Sequence, residues 1–493
     1  MTEGRIKKTV LRVLSDYGMV LVLLLLCMFL SIITWREQQP NDADAGASLG
    51  ADILAAKGED VHVLIVVRDK QEDDAELAEA LRETLTAGGA TVVGVIKGTP
   101  ADARAALKKI SDADQRLDVI AGPGDKRTAE SLRMIAKPAN FPNLDKTEVM
   151  TPKSYGWPLF LKPGNLVNVT NHIVVIAILA IGVTMVIITG GIDLSVGSLV
   201  ALSAVTTALL IRDVGGALDA SGPALVGCAL GGIALCALVG LFSGSMITIF
   251  DIPPFIVTLA MLLVGSGMAY ILSDGEPISN PIPLSFTWLG GQASLLGIPN
   301  AVVMAALLYV AAHIVMTRMK WGRYIYAVGG NAEAARLSGV PVQRVKLAVY
   351  AVSGALAGLG GVVLASRQKT GTPTYGDGYE LDVIAAVVVG GTSLAGGEGK
   401  ILGTLIGALI IAVIRNGMNL TDVSAHPQRV ILGMVILGAA LLDAMKRKGW
   451  STSAWGFLIS TAGRVWGFLI GTIRRNGRAG PVEDGPPDGQ SSA

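Results

Sequence analysis

Ten apolar runs, each close to the length of a membrane-crossing helix, limit what this chain can fold into. They cover residues 17–35, 171–190, 193–211, 223–247, 254–273, 299–317, 345–366, 381–398, 400–418 and 427–445. About 20 predominantly apolar residues cross the hydrocarbon layer as a helix, because each residue adds ~1.5 Å. Only 16% of the residues are charged, too few for a wholly soluble chain of this length. We therefore predict an α-helical polytopic membrane protein with about ten transmembrane helices.

A charged block follows the first apolar run. Residues 37–157 hold 21 of the 39 Asp and Glu residues, against 15 Lys and Arg. Short β-branched runs alternate there with amphipathic segments, which indicates parallel βαβ units. The predicted strands are 61–67, 91–96 and 117–120, and the predicted helices are 73–87, 101–110 and 126–135. The block therefore reads as a small inserted α/β domain with a three-stranded parallel sheet, and the proline-rich residues 138–160 as a linker.

The end of the chain carries a repeat. Trp455-Gly-Phe-Leu-Ile recurs 11 residues later from Trp466, which places both tryptophans on one helix face. An eleventh span is the alternative to an amphipathic interfacial helix, but it would bury Arg464 near its centre at a cost of about 2.5–3.5 kcal/mol. The predicted parts are an N-terminal segment and first span (1–36), the inserted domain and linker (37–158), a nine-helix core (159–448), an interfacial helix (449–480) and a disordered tail (481–493).

The distribution of basic residues predicts the orientation. The N-terminal Lys7, Lys8 and Arg12 and the loop at 318–345, with its five arginines and lysines between Arg318 and Arg344, both belong on the cytoplasmic side. An even number of spans then places both termini in the cytoplasm and the inserted domain on the outer face. A cleaved signal peptide is the alternative reading of the first run. The net charge of +1 argues against nucleic acid as a partner.

The sequence predicts neither a catalytic nor a metal site. It has no HExxH motif, no paired cysteines and no Ser-His-Asp spacing. The stretch Gly396-Gly-Glu-Gly399-Lys400 fails as a P-loop, because Leu394 occupies the first glycine position and Ile401 replaces the Ser or Thr that binds magnesium. We expect no cofactor on this chain.

Acidic and hydroxyl side chains within the apolar runs are the candidates for a pathway or gate, because charge in lipid is costly and usually functional. They are Asp193, Ser195, Ser198, Glu380, Asp382, Thr392 and Ser393. For Asp193 the alternative is a helix cap that accepts from the backbone N–H of Ser195 or Val196. For Glu380 and Asp382 it is pairing with a helix dipole. No series of buried acids and histidines crosses the spans, which disfavours a proton-driven transporter.

Glycine pairs with three residues between them recur in the spans. The pairs are Gly227/Gly231, Gly354/Gly358 and Gly403/Gly407. Small residues at this spacing let helices approach closely in lipid, so we assign them to helix packing.

A short polar segment interrupts the cytoplasmic loop. Its residues are Asn331, Glu333, Ala334, Ala335, Arg336, Leu337, Ser338 and Gly339, followed by Pro341. Glu333 to Ser338 predicts a short helix that ends at the glycine. Spacing alone leaves open whether it is an ordinary connection or docks onto a cytoplasmic partner.

Four stretches resemble the ribose-type monosaccharide permeases of ABC importers. Glu333-Ala-Ala-x3-Gly339 resembles their ATPase-contacting loop, and the other stretches begin at Thr189 (TGGIDLSVGSL), Gly322 (GRYIYAVGGN) and Gly378 (GYELDVIAAVVVGGTSLAGG). The likeness covers about 159–447 nearly continuously and 11–36 weakly. It does not cover the inserted block, whose βαβ pattern resembles the start of a periplasmic sugar-binding lobe, or the repeated tail.

This resemblance implies function and partners. It implies a permease subunit in the bacterial inner membrane that imports a monosaccharide, ribose or a related sugar, by alternating access. The implied partners are a second permease copy, a cytoplasmic ATPase that uses ATP and Mg, a periplasmic or extracellular sugar-binding protein, and membrane lipid. A secondary transporter and a membrane-anchored sensor that uses the outer domain are the alternatives.

Overall fold

The computed structural model describes residues 2–448 except for 70, 138–140, 145, 280–281, 292–293 and 296–297. The predicted interfacial helix at 449–480 and the tail at 481–493 lie outside the described residues. Two compact units make up the described chain. One, the α/β unit, comprises residues 21–169 and 413–423; the other, the helical unit, comprises residues 2–20, 170–412 and 424–448.

The α/β unit contains a four-stranded parallel sheet and a separate two-stranded ribbon. After α1 (Thr2–Ile33), the elements are β1 (Trp35–Gln38), α2 (Ala43–Lys57), β2 (His62–Val67), α3 (Glu72–Ala87), β3 (Thr91–Lys97), α4 (Pro100–Asp112), β4 (Val119–Ala121), α5 (Lys126–Ile135), β5 (Glu148–Met150) and β6 (Tyr155–Pro158). The sheet order is β3-β2-β4-β5. Each of the three predicted strands and three predicted helices has a counterpart among these elements.

Alternating side chains of the sheet supply two cores. On one face, Val63 and Ile65 pack with Leu49, Leu77 and Leu81 of α2 and α3. On the other face, the intervening strand residues pack with α4 and α5; this core includes Leu64, Val66, Ile120, Leu107 and Leu132. The sheet is therefore covered on both sides, as parallel sheets are.

The prediction of a three-stranded sheet was wrong, because the sheet has four strands. The fourth strand, β5, lies in the segment that the prolines had assigned to a linker, and it pairs with β4 through Val119↔Glu148 to Ala121↔Met150. A three-residue strand owes its stability to its neighbour, so its own sequence carries little pattern. Helix α2 was also not predicted, although Asp42 caps it and Leu49 and Ile53 are fully buried.

The ribbon holds the two ends of the inserted segment side by side. β1 pairs antiparallel with β6, from Trp35↔Pro158 to Gln38↔Tyr155. β1 follows directly on the apolar helix α1, and β6 leads through a short turn into α6. The inserted domain thus begins and ends at one place in the fold.

The helical unit is built from long apolar helices and a few short ones. In chain order they are α6 (Pro163–Ile188), α7 (Val196–Asp213), α8 (Gly222–Ile249), α9 (Pro254–Leu272), α10 (Asn300–Arg318), α11 (Lys320–Gly330), α12 (Ala332–Leu337), α13 (Val342–Gln368), α14 (Tyr379–Val389), α15 (Ile401–Leu420) and α16 (Ala425–Lys448). Seven of them are long and apolar enough to cross a membrane, namely α6, α7, α8, α9, α10, α13 and α15, and Gly18–Ile33 and Ala425–Leu441 are shorter apolar stretches.

One predicted span is not a single helix. Residues 381–398 were expected to cross the membrane, but α14 ends at Val389 and a loop follows to residue 400. Gly391, Gly396 and Gly397 in this loop have positive φ angles of 85°, 84° and 76°, which end the helix despite the apolar composition. At ~1.5 Å per residue, α14 is too short to cross the hydrocarbon layer by itself.

Close helix contacts hold the helical unit together. A side chain at Gly354 would overlap the carbonyl oxygen of Cys236 on α8, and one at Gly358 would approach the backbone of Ile233. Gly361, also on α13, lies against the carbonyl of Val200 on α7. α13 therefore packs backbone to backbone against both α7 and α8.

Candidate functional site

The bend between α6 and α7 carries a fully buried carboxylate. Asp193, whose exposed fraction is 2%, accepts hydrogen bonds at Oδ1 from the backbone N–H of Ser195 (3.0 Å) and from the hydroxyl of Ser195 (2.6 Å). Its Oδ2 accepts from the hydroxyl of Ser353 on α13 at 2.7 Å. The backbone hydrogen bond is the one that the capping interpretation anticipates, but the contact with Ser353 ties the bend to a second helix.

The bend lies beside the middle of a long helix. Ser353 is near the centre of α13 (Val342–Gln368), and Gly182 of α6 lies against the same serine. The described part of the chain has no ion pair at Asp193, so that backbone and hydroxyl donors alone surround its carboxyl group. A carboxyl group held in this way inside an apolar bundle is costly, which makes Asp193 a candidate functional residue.

A buried tyrosine hydroxyl accompanies this carboxylate. The hydroxyl of Tyr350, one turn before Ser353 on α13, has no hydrogen-bond partner among the described residues. It lies directly beside Gly191 of the bend, where an added Cβ would overlap it. An unpaired polar atom in a buried site is unusual, and it leaves a donor available next to Asp193.

A second break in the helices meets the start of α7. The segment between α13 and α14 turns at Gly376 and Gly378, whose φ angles are 78° and 80°. The carboxylate of Glu380, in the first turn of α14, and the carbonyl of Gly376 both lie against Gly197 in the first turn of α7. A carboxylate at a helix N-terminus is stabilised by the helix dipole. Glu380 is half-buried there.

Together these contacts define a polar junction, which we call the central junction. It comprises Asp193, Ser195, Ser353, Tyr350 and Glu380. The turns between α6 and α7 and between α13 and α14 meet at it, which places polar side chains inside an apolar bundle. Ser198, also buried, donates to the carbonyl of Ser195 and packs on Gly265 of α9. Asp382, which is also in the first turn of α14, is half-buried.

Thr392 and Ser393 lie in a different loop from the central junction. Both are buried, at 1% and 4% exposure, between α14 and α15. The hydroxyl of Thr392 has no hydrogen-bond partner within the described ranges, and Ser393 accepts from the backbone N–H of Ala395. The predicted pathway residues therefore form two groups.

The loop between α14 and α15 contacts the end of α6 and the end of α11. The N–H of Gly397 donates to the carbonyl of Ile188 (2.9 Å), and the hydroxyl of Tyr326 on α11 donates to the carbonyl of Gly399 (2.7 Å). Gly329 fits between Ile188 and Gly397 so closely that a Cβ would overlap both. We call this contact the glycine contact. It joins α6, which ends at the bend with Asp193, to α11, which leads into residues 331–339.

The coupling segment, residues 331–339, folds as predicted into a short capped helix. The side chain of Asn331 accepts from the N–H of Ala334 at 2.9 Å, and Gly339 ends the segment with a φ of 81°. Arg336 forms an ion pair with Glu333 (2.6 Å) and holds the pKa of the Glu333 carboxyl below its usual value. The short helix has a buried side and an exposed side: Ala335 is buried, whereas Leu337 is 78% exposed.

The surface beside the coupling segment is concave. A groove of about 690 Å³ runs between the end of α8 and the start of α13, and Arg336, Val340, Thr248, Asp251 and Arg344 line it. The groove thus carries charges of both signs, and the exposed Leu337 follows directly on its lining residue Arg336. Ser338, which donates to the carbonyl of Ala334, closes the last turn.

Five of the six glycines assigned to helix packing lie against neighbouring elements. Gly231 meets Leu210, Gly354 and Gly358 meet α8, and Gly403 and Gly407 meet the end of α14 near Gly390. A Cβ at Gly227 would meet no atom within 4 Å. The interpretation as packing residues thus has a structural counterpart at all positions but Gly227.

Comparison with known proteins decides the family. The family of branched-chain amino acid transport system permease components matches residues 165–440, more than half of the chain. The chain is a member of this permease family. The match begins at α6 and leaves out the whole α/β sheet. No solved structure matches significantly.

Three curated relatives each match more than half of this chain. The ribose import permease protein RbsC of Escherichia coli K12 is 42% identical over 293 residues, 59% of this chain and 88% of the relative. That of Bacillus subtilis 168 is 43% identical over 289 residues, 59% and 87%. The L-arabinose ABC transporter permease protein AraH of Azospirillum brasilense is 37% identical over 290 residues, 59% and 83%.

Membership of this family sets what the chain is. It is a multi-pass protein of the bacterial inner membrane and a transport subunit of an ABC importer, in which a partner subunit hydrolyses ATP and a substrate-binding protein delivers the solute. Charge within the apolar runs identifies Asp193 and Glu380 from the sequence, but Ser353, Tyr350 and Tyr326 were not predicted. A hydroxyl group within an apolar run is the feature that could have identified Ser353 and Tyr350.

Proposed function

We propose that this chain forms the passage through which an ABC importer moves a monosaccharide of the ribose or arabinose kind into the cell. The observation that carries the proposal is the similarity of this chain to two ribose permeases and an arabinose permease. The matched region covers 83–88% of the length of those three proteins. The central junction supports it, because hydroxyl and carboxylate groups inside an apolar bundle can hydrogen-bond a polyhydroxylated solute. Ser198, Asp382, Thr392 and Ser393 extend this polar lining.

Alternating access follows from how the junction is built. Asp193 attaches the α6–α7 bend to α13 through Ser353, and Glu380 attaches α14 to the start of α7. A movement of α13 relative to α7 would break one of these contacts and remake it elsewhere. Packed elements with two discrete arrangements switch in this way, and small displacements at one end become a change of state at the other.

The coupling segment would supply the movement. In this proposal the ATPase subunit binds the exposed side of α12, with Leu337 seated in its surface and the Glu333–Arg336 pair keeping the short helix rigid. The partner holds the ATP and Mg. The glycine contact would then transmit its displacement, because α11 lies directly against the end of α6 and against the loop between α14 and α15.

The remaining assembly is part of the same proposal. Two copies of the chain would form the passage, with the coupling segments and both termini on the cytoplasmic side and lipid around the exposed apolar faces of α8 and α9. The α/β unit would lie on the outer face, inserted between α1 and α6 through the ribbon, and would contact the sugar-binding protein. Its doubly covered parallel sheet gives a rigid surface for such a contact.

Uptake in the bacterial host tests this proposal. Deletion of the gene is expected to abolish high-affinity uptake of radiolabelled D-ribose or L-arabinose, and a plasmid copy is expected to restore it. A plasmid copy with Asp193→Asn should restore less, because the amide offers N–H donors where Asp193 accepts three hydrogen bonds. Unchanged uptake of both pentoses in the deletion strain would refute the substrate class.

A further inference from the structure

The parallel sheet of the α/β unit has a topological switch point. β2 is followed by β3 on one side of it, whereas β4, on its other side, is followed by β5 further out. The connections after β2 and β4 therefore leave in opposite directions. In open α/β sheets the crevice at such a point, outside the carboxyl ends of the strands, is where ligands bind.

A crevice is present at this point. It has a volume of about 280 Å³ and is lined by Arg68 after β2, Gly98 and Thr99 after β3, and Arg127, Thr128 and Ser131 of α5. Apolar side chains form its floor, among them Val66 and Leu132. The segments that follow the three strands thus converge on one cleft, which is mainly apolar and carries a few polar side chains.

The guanidinium of Arg68 is held rigidly in the crevice. Its Nε and Nη2 donate to the two carboxylate oxygens of Asp74 at 2.7 and 2.8 Å, and Asp74 is fully buried. Its Nη1 lies 3.3 Å from Oδ2 of Asp125, the N-cap residue of α5. Asp74 uses two of the five N–H donors of an arginine, so further donors face the crevice in a fixed orientation.

Hydroxyl side chains line the crevice beside this guanidinium, those of Thr99, Thr128 and Ser131. Asp125 lies behind the lining: its Oδ1 accepts from the N–H of Thr128 (2.9 Å), and its buried Oδ2 faces Nη1 of Arg68. A fixed guanidinium next to hydroxyl groups, each of which both donates and accepts, matches a polyhydroxylated ligand.

The charges at the crevice favour a neutral ligand. Asp74 and Asp125 both face Arg68, and Arg127 is exposed. The two positive and two negative charges sum to zero, which gives a phosphate no net attraction. From this balance, the fixed guanidinium and the apolar floor, we propose that the crevice binds a monosaccharide or a similar neutral polyol. The inference goes beyond transport, because this site lies outside the family region and needs no ATPase.

The affinity should be low. The crevice is open on one side, so a bound sugar keeps part of its surface in water and only a few hydrogen bonds fix it. We expect a dissociation constant on the order of 1 mM, which corresponds to about 4 kcal/mol. Such a site would hold sugar near the outer surface without trapping it.

Saturation-transfer NMR with D-ribose tests the inference on the full-length protein in nanodiscs. Ser131→Trp would fill the crevice, and Ser111→Trp is the matched control, because Ser111 lies near the far end of α4. We expect a saturable signal that Ser131→Trp weakens at least about tenfold and Ser111→Trp leaves intact, with circular dichroism showing both variants folded. If Ser131→Trp does not fold, Arg127→Gln serves instead and should weaken binding.

Several results would overturn the proposal. They are the absence of a saturable signal in the wild type, an equal signal in the crevice variant, or displacement of D-ribose by inorganic phosphate, which would indicate an anion site. Uptake is measured separately on the same variants. A chain that binds ribose in the crevice but transports no sugar would refute the proposed function and leave this inference standing, and the reverse result would do the opposite.

Discussion

The hydroxyl of Ser353 donates to Oδ2 of Asp193 across a distance of 2.7 Å, joining residues 160 positions apart in the chain. Both side chains are buried, at 1% and 2% exposure. This single hydrogen bond connects the bend between α6 and α7 to the middle of α13. It therefore links α13 to the bend that leads into the first turn of α7.

Replacing Ser353 with alanine should destabilise the protein. The substitution leaves a buried carboxylate oxygen without its donor, which costs about 1–3 kcal/mol, and the midpoint of thermal unfolding in detergent should fall. Ser245→Ala is the control, since the hydroxyl of Ser245 bonds only to the Leu241 carbonyl of its own helix. Equal midpoints for the two variants would show that the Asp193 contact contributes nothing to stability.

The coupling segment should be sensitive to charge and to backbone geometry. Glu333→Lys places a like charge beside Arg336, and Gly339→Pro cannot adopt the φ of 81° found there. Both variants should reach the membrane in normal amounts but lose sugar uptake while ATP hydrolysis by the partner continues.

An exposed glutamate in another loop provides the control for charge reversal. Glu276→Lys changes the net charge by the same amount and should leave uptake unchanged. Coupling retained in both Glu333→Lys and Gly339→Pro would exclude the segment as the site where the ATPase acts.

The glycine contact predicts that substitution of one glycine is harmful and that substitution of its neighbour has no effect. At Gly329 a Cβ would overlap the carbonyl of Ile188 and the N–H of Gly397, whereas at Gly330 no atom lies within 4 Å. Gly329→Ala should therefore lower both thermal stability and uptake, because the backbones must separate, and Gly330→Ala should change neither. The two variants compared in one uptake assay decide the matter; similar activities would mean that this contact is not used.

Removing the α/β sheet tests whether it contacts the sugar-binding protein. Gln38 and Tyr155 form the last pair of the ribbon, so replacing residues 39–154 with Asn-Gly should close it as a two-residue hairpin. We expect the shortened chain to insert and to bind its ATPase, but to show weaker affinity for the sugar-binding protein and slower uptake at low sugar concentration. Unchanged affinity and uptake would discard the docking role.

Much of this architecture could be predicted from periodicity. Long apolar runs have few alternatives to membrane helices, and nine of the ten predicted spans fall on a helix of the structure. The exception, residues 381–398, shows the limit of composition: the run is mostly apolar, yet α14 ends at Val389 and the chain turns at Gly390 and Gly391. The number of complete membrane crossings stays a prediction.

The candidate site was harder to predict than the fold. Asp193 and Glu380 were identifiable because charge is rare in the apolar runs. Ser353 and Tyr350 were missed since a hydroxyl within a helix can bond its own backbone, and only the structure shows that Ser353 instead reaches another helix. The fourth strand, β5, was missed for a related reason: its stability comes from pairing with β4, which its sequence does not encode locally.

Reconstitution measures the central claim most directly. The chain is placed in liposomes with its ATPase inside and its sugar-binding protein outside, and accumulation of radiolabelled D-ribose or L-arabinose is followed with and without ATP. The account predicts accumulation only when ATP and the ATPase are present, and none with Glu333→Lys. Accumulation against a gradient by the chain alone, without the ATPase, would contradict it.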